Sequence, residues 1–316
     1  MRHTVPVAAA LIAIAASVAC RRPADAPDQE LKFLAWTNPG PFVQELVSHF
    51  NSTIDGVHVE AQNTAGSVFV VSALEKSNGD VGLAQADVVY AAYRRGIAGD
   101  AHAHTKLRGI AVLWVNTVFI VVPGNSDLRT VADLRGKRVG LGVQGSSAEL
   151  FGRTVLEGYD LTYADLEPEF LRVDEIEQRI HSRTLDAGIL VTPTLPDSLR
   201  LRSASAHVRL LPVERDVTRE LRVRYRFIKP AVIPAQTVGD QLEDVHTVGV
   251  DGLLVCREGL SEDVVYHLTK QFFAALPRLA RNDSVASLID PGKAAATPLP
   301  LHAGAARYYR EREILE

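Results

Sequence analysis

The sequence predicts an α/β protein of two lobes with a ligand cleft between them, and three observations predict it. Apolar strand runs alternate with amphipathic helix patterns along most of the chain, which implies parallel sheets covered by helices. Two longer apolar runs, residues 110–122 and 248–256, suit strands that cross from one α/β block to another. The turns after the strands are made of small polar residues, and in parallel sheets ligands sit beyond that edge.

The chain starts with Met1-Arg2-His3 and an apolar run over residues 5–18, which reads as a signal peptide covering 1–19. Ser17-Val18-Ala19-Cys20 meets the small-residue rule for cleavage and puts Cys20 where lipoprotein processing attaches lipid. The expected location is the periplasm, with the membrane reached only through that anchor. Residues 20–29, rich in Pro, Ala and Asp, form a tether. No later run reaches 18 apolar residues. At 47% hydrophobic and a net charge of −4, the composition is that of a globular chain without the basic excess of a nucleic-acid binder. Cys256 has no partner once Cys20 is assigned to the leader, so no disulfide framework is expected, and its strand setting suits an inert buried thiol.

Three strand–turn–helix units follow the tether. Residues 31–36 lead through Thr37, Asn38, Pro39 and Gly40 to a helix with Phe42, Leu46, Val47 and Phe50 on one face. Residues 57–62 lead through Thr64 and Ser67 to a helix carrying Val68, Val71 and Leu74. Residues 81–84 meet Gln85, Ala86 and Asp87, where a third helix begins. The first crossing run, interrupted at Asn116 and Thr117, opens a second α/β block. That block holds helices over 146–158 and 173–182 and a strand over 187–191, and closes near Thr237. The second crossing run returns the chain, and Ser261 caps a helix through Ala275. The expected lobes are residues 30–116 with 248–316, and residues 117–247.

Residues 137–149 are the most informative stretch. A strand ends in Gln144-Gly145-Ser146-Ser147, and Ser146 with Glu149 reads as a capping box whose free N–H groups suit a carboxylate or phosphate. A capped helix without ligand is the plainer reading. Gly140, Gly142 and Gly145 also fit G-x-G-x-x-G, with Asp160 or Asp165 in the place of a ribose acid. Gly140 and Gly142 alternate with Val139, Leu141 and Val143, however, and so belong to the strand rather than to its turn.

Together the segments resemble the solute-binding subunits of tripartite ATP-independent periplasmic (TRAP) transporters, specifically the TAXI group. The pieces are Thr64-Ala-Gly-Ser67, Leu83-Ala-Gln-Ala-Asp-Val-Val-Tyr90, Asp133-Leu-Arg-Gly-Lys-Arg-Val-Gly140 with Gly145-Ser146, Leu185-Asp-Ala-Gly188, Ala231-Val-Ile-Pro-Ala-Gln-Thr237, Val265-Tyr-His-Leu-Thr-Lys270 and Leu301-His-Ala-Gly-Ala-Ala-Arg-Tyr-Tyr-Arg-Glu311. The resemblance implies a two-lobed periplasmic binding protein (type II, Venus-flytrap) that captures a small organic acid or amino acid, glutamate-like or dicarboxylate-like, for a membrane permease. The first turn, Val70 and Val238 depart from the family pattern on the cleft side, so the resemblance does not name the solute.

The candidate ligand residues are Thr37, Asn38, Thr64, Ser67, Gln85 and Asp87 in the first lobe, and Gly145, Ser146, Ser147, Thr192 and Thr237 in the second. For each, the competing reading is a cap or turn hydrogen bond. Asp87 would repel a carboxylate but could receive an ammonium group. Arg153 reads as solvated, His102-Ala-His104 as an exposed loop rather than a metal site, and Tyr308-Tyr309 as rings packing the last helix onto the first lobe. No catalytic residue, metal or cofactor is expected, and the chain is expected to be a monomer. Two other readings are a ligand sensor for a receptor and a dinucleotide enzyme built on Gly140, Gly142 and Gly145.

Overall fold

The computed structural model describes residues 29–36, 41–200, 208–239 and 241–314. The expected signal peptide, Cys20 and nearly all of the tether lie outside the described residues, as do Thr37 and Asn38. Along the chain run β1 (Gln29–Trp36), α1 (Pro41–Thr53), β2 (Val57–Thr64), α2 (Ser67–Glu75), β3 (Val81–Gln85), α3 (Ala86–Arg95) and β4 (Leu107–Pro123). Next come β5 (Arg138–Leu141), α4 (Ser147–Glu157), β6 (Glu167–Phe170), α5 (Val173–His181), β7 (Ala187–Thr192), α6 (Asp197–Arg200) and β8 (Val208–Leu211). The chain closes with α7 (Arg215–Arg224), β9 (Ile228–Ile233), β10 (Val245–Arg257), α8 (Glu262–Asn282) and α9 (Ala303–Glu311).

The three opening units form because their apolar spacing matches the element that buries it. Phe42, Val43, Leu46, Val47 and Phe50 recur at helical period on α1 and are all buried. Full burial of one such side chain stabilises the fold by about 1.5–3 kcal/mol. Every residue of β3 is buried, as a strand covered on both faces requires. β1 runs parallel to both β2 and β3. In the second block β5 runs parallel to both β6 and β7.

One sheet joins the two blocks in the order β2-β1-β3-β10-β4-β7-β5-β6, with β8 on β4 and β9 on β10. The two long strands at its centre, β4 and β10, are antiparallel to each other, and both change neighbours part-way along. β10 pairs with β9 up to Val250 and with β3 from Gly252. β4 takes up β7 at Thr117, the residue that also faces Gly249 of β10. The two crossing runs of the sequence are these strands. Their register slips between Asp251 and Leu253, an irregularity of the kind that redirects side chains next to sites.

Elsewhere the expectations hold with local corrections. Ser261 caps α8 by accepting the Val264 N–H at 3.2 Å, but the helix runs past Ala275 to Asn282 because Pro277 lies on its exposed side. Tyr308 and Tyr309 are buried against α8, and the Tyr309 hydroxyl donates to the Ile110 carbonyl at 2.9 Å. Cys256 is fully buried. His104 is not in an exposed loop. Its N–H bonds to the Ala92 carbonyl at 2.8 Å, which draws it under α3 to full burial, while His102 stays exposed.

Candidate ligand-binding site at the strand crossing

On the first block the expected polar residues gather at the carboxyl edge. The Thr64 hydroxyl accepts the Gly66 N–H at 3.3 Å, and the buried Ser67 hydroxyl accepts the Gln85 N–H at 3.0 Å. The Thr64 oxygen therefore closes the turn before α2, and the Ser67 oxygen ties α2 to the end of β3. Gln85 and Asp87 are different. Gln85 Oε1 and Asp87 Oδ1 are buried and have no hydrogen-bond partner. Burial pushes the Asp87 carboxyl up to about 7, against the backbone N–H groups of Val88 and Asp87 that favour its charged form.

Beside them, the crossing strands supply polar residues that sequence reasoning missed. Trp114 Nε1–H donates to Asn116 Oδ1 at 3.2 Å. An indole can only donate, so the bond fixes the orientation of the amide and leaves Asn116 Nδ2 as the free end. That nitrogen is buried and unpaired. A side chain on Gly252 would come within 3.0 Å of Trp114 Nε1 and 3.4 Å of Asn116 Nδ2, so the glycine lets both groups lie close against the β10 backbone. Gln85 is the β3 residue paired with Gly252. On the next residue, Asp251 Oδ2 takes the Lys229 ammonium at 2.6 Å, while Oδ1 is buried without a partner. Buried polar atoms in folded proteins are nearly always paired, so several orphans near one crossing make it the candidate ligand site. The only signal in the sequence was a polar residue inside each apolar run.

The start of α4 forms largely as expected. Ser146 Oγ accepts the Glu149 N–H at 3.2 Å. Glu149 reaches back one residue further than a capping box requires, to the Gly145 N–H at 2.9 Å, and its other oxygen accepts the Tyr163 hydroxyl. The protein's own buried carboxylate thus takes up the Gly145 donor, and the Ser146 N–H bonds to the Val143 carbonyl. The N–H groups of Ser147 and Ala148 remain without a partner among the described residues.

The glycine fingerprint is accounted for by packing. A side chain on Gly140 would meet Leu185 at 2.7 Å and Ile176 at 2.9 Å, and one on Gly142 would meet the Glu149 nitrogen at 2.8 Å. Both glycines exist so that helices can approach the sheet, and neither offers bare backbone to a pyrophosphate. Asp165 is held by the Thr162 N–H and hydroxyl and by Arg135, and Asp160 closes the turn after α4.

Thr192 ends β7 opposite Thr117, at the crossing, and its hydroxyl donates to the Thr194 carbonyl at 2.8 Å. Thr237 stands apart. Its hydroxyl donates to the Pro234 carbonyl at 2.6 Å in the turn beyond the Ile233–Val245 pair. Four strand positions separate Val245 from Gly249, about 14 Å. Arg153 is exposed, as expected.

The pattern that defines the NMT1-like family matches residues 40–312. The chain belongs to the NMT1-like family. This NMT1-like chain also shares its fold with solved structures at low sequence identity. The alkanesulfonate-binding protein SsuA from Xanthomonas axonopodis pv. citri, bound to MOPS, is 17% identical with a TM-score of 0.51 over 92% of this chain and 96% of that one. A Xanthomonas citri protein bound to chloride ion is 13% identical with a TM-score of 0.52, covering 90% and 99%. A Bordetella bronchiseptica RB50 protein is 14% identical with a TM-score of 0.53, covering 91% and 81%. The NMT1-like chain therefore has the α/β periplasmic-binding-protein-like fold expected from its sequence. No helix among its described residues is long and apolar enough to cross a membrane.

Proposed function

We propose that this protein captures a small acid, a carboxylate, sulfonate or amino acid, in the cleft between its two blocks and hands it to a membrane permease. The observation that carries the proposal is the buried, unpaired Asn116 Nδ2, held in place by Trp114 at the crossing of the two α/β blocks. A fixed, buried and unpaired donor calls for an acceptor atom, which an acid oxygen supplies. The two free N–H groups at the start of α4, with the positive end of its dipole, support the same sign of charge. The family match and the likeness to an alkanesulfonate-binding protein support solute capture.

The lobes in this proposal are residues 30–116 with 248–316, and residues 117–247. β4 takes up β7 at Thr117, and β10 exchanges β9 for β3 between Val250 and Gly252, which supports a division near these residues. The TAXI-like motifs support a TRAP permease as the recipient, and the leader over residues 1–19 followed by Cys20 supports an exported chain with lipid on Cys20. The ligand residues are Gln85, Asp87, Asn116, Ser147 and Thr192.

A thermal-shift screen of the purified mature chain against carboxylates, sulfonates and amino acids tests the proposal. A true ligand at a hundredfold excess over its Kd adds about 2.7 kcal/mol to stability. At least one small acid should raise Tm; a flat response across all three classes counts against acid capture.

A further inference from the structure

The acceptors at the crossing outnumber the donors. Gln85 Oε1, Asp87 Oδ1 and Asp251 Oδ1 are all buried without a partner, and the one matching orphan donor is Asn116 Nδ2. In the chain, Gln85 pairs with Gly252, the neighbour of Asp251, and Asp87, the second residue of α3, follows Gln85 by two positions. Lys229 is committed to Asp251. Asp87 is 8% exposed and is met only by backbone N–H groups of its own helix start.

An acid without an amine would satisfy Asn116 and the free N–H groups of α4 but leave every one of these acceptors unpaired. Once Asp87 ionises, above about pH 7, its carboxylate would also repel the solute's negative charge, as like charges in a poorly solvated site do. We infer that the captured solute is a zwitterion, and that Asp87, with Gln85 beside it, receives the solute's ammonium group. The inference rests on the small-acid reading above and narrows it to amino acids and aminosulfonates. An ammonium group carries three donors and one positive charge, so a single group can pair Asp87 Oδ1, pair Gln85 Oε1 and compensate the carboxylate. Charge-assisted bonds of this kind are the strong ones, and leaving the acceptors unmade carries their full desolvation cost.

Matched pairs of acids separate this inference from the reading it rests on. Titration calorimetry on the mature chain would compare glutamate with glutarate, β-alanine with propionate, and taurine with ethanesulfonate. In at least one pair the aminated member should bind about tenfold or more tightly than its partner, and Asp87→Asn should remove that preference while the variant keeps the parent's circular dichroism. If the amine-free acids bind as tightly as the aminated ones, the zwitterion inference is wrong and the small-acid reading stands. If no acid of either kind binds, both fall. Should Asp87→Asn misfold, the parent's preference within each pair still decides whether the solute is a zwitterion, and Gln85→Leu, which should weaken the aminated member alone, replaces it as the test of the receiving residues.

Discussion

Trp114 Nε1 and Asn116 Oδ1 are 3.2 Å apart, and this one bond leaves the amide with a free donor, not a free acceptor, beside Gly252. The sign of the site follows from it. Without the indole N–H the amide could turn over, and the position would read either charge.

Trp114→Phe keeps the ring that meets Phe42 edge-on at a centroid distance of 5.3 Å but removes the N–H. The loss of one hydrogen bond should cost about 0.5–1.5 kcal/mol of stability, and affinity for an acid should drop about three- to tenfold as the amide loses its fixed orientation. Denaturant unfolding and titration calorimetry check both numbers. Unchanged affinity would mean that something other than Trp114 orients Asn116.

Gly252→Ala places a methyl group against Trp114 and Asn116. Its contacts would be 3.0 Å to Trp114 Nε1 and 3.4 Å to Asn116 Nδ2, tight but not a backbone clash. The variant should fold with a stability loss of about 1–3 kcal/mol, the ordinary cost of overpacking, yet lose most of its ligand affinity. A variant that binds like the parent would show that the ligand does not bind beside these two residues.

At α4, Ser147→Pro removes one of the two unpaired N–H groups at a position where helices accept proline. A bond to a charged group contributes about 1.5–3 kcal/mol, so affinity should fall about ten- to a hundredfold with the helix intact. Normal folding with parental affinity would reduce this helix start to a cap closed by Ser146 and Glu149.

The ligand-free protein should lose stability as pH rises from about 4 to 7. Asp87 holds its proton up to about 7 in the folded chain, whereas the unfolded chain releases it near 3.8. The native state therefore binds more protons across that window, and the stability of this group declines by on the order of 4 kcal/mol by pH 7. Asp87→Asn should flatten the slope and leave the empty protein more stable than the parent at pH 8. Urea unfolding at pH 5 and pH 8 measures it, and parallel pH slopes for parent and variant would contradict the assignment.

Most of the architecture was readable because it depends on local patterns. The Phe42-to-Phe50 face, the Ser146 and Ser261 caps and the two crossing runs each lie within a few turns or one strand. The shorter strands β6, β8 and β9 were not readable. β9 carries exposed Lys229 and Pro230 and gains its strand form only by pairing with β10. The proposed site is half readable. The edge rule points to Gln85, Asp87 and Ser147. Asn116 reads only as an interruption in an apolar run, and Asp251 passes unnoticed in the other, because their surroundings depend on which residues face them across the register slip in β4 and β10. Thr237 misled for the same reason: its sequence position is close to the return crossing, but the β9–β10 hairpin carries it away from that point.

The central claim is that a buried donor at the strand crossing receives the acid group of the solute, and Asn116→Asp tests it most directly. The substitution keeps the shape and the Trp114 bond but turns the free donor into an acceptor. Titration calorimetry with the best acid from the screen should give one-to-one binding in the parent and an affinity lower by about a hundredfold or more in the variant, with both chains folded by circular dichroism. Equal affinity in parent and variant would contradict the account.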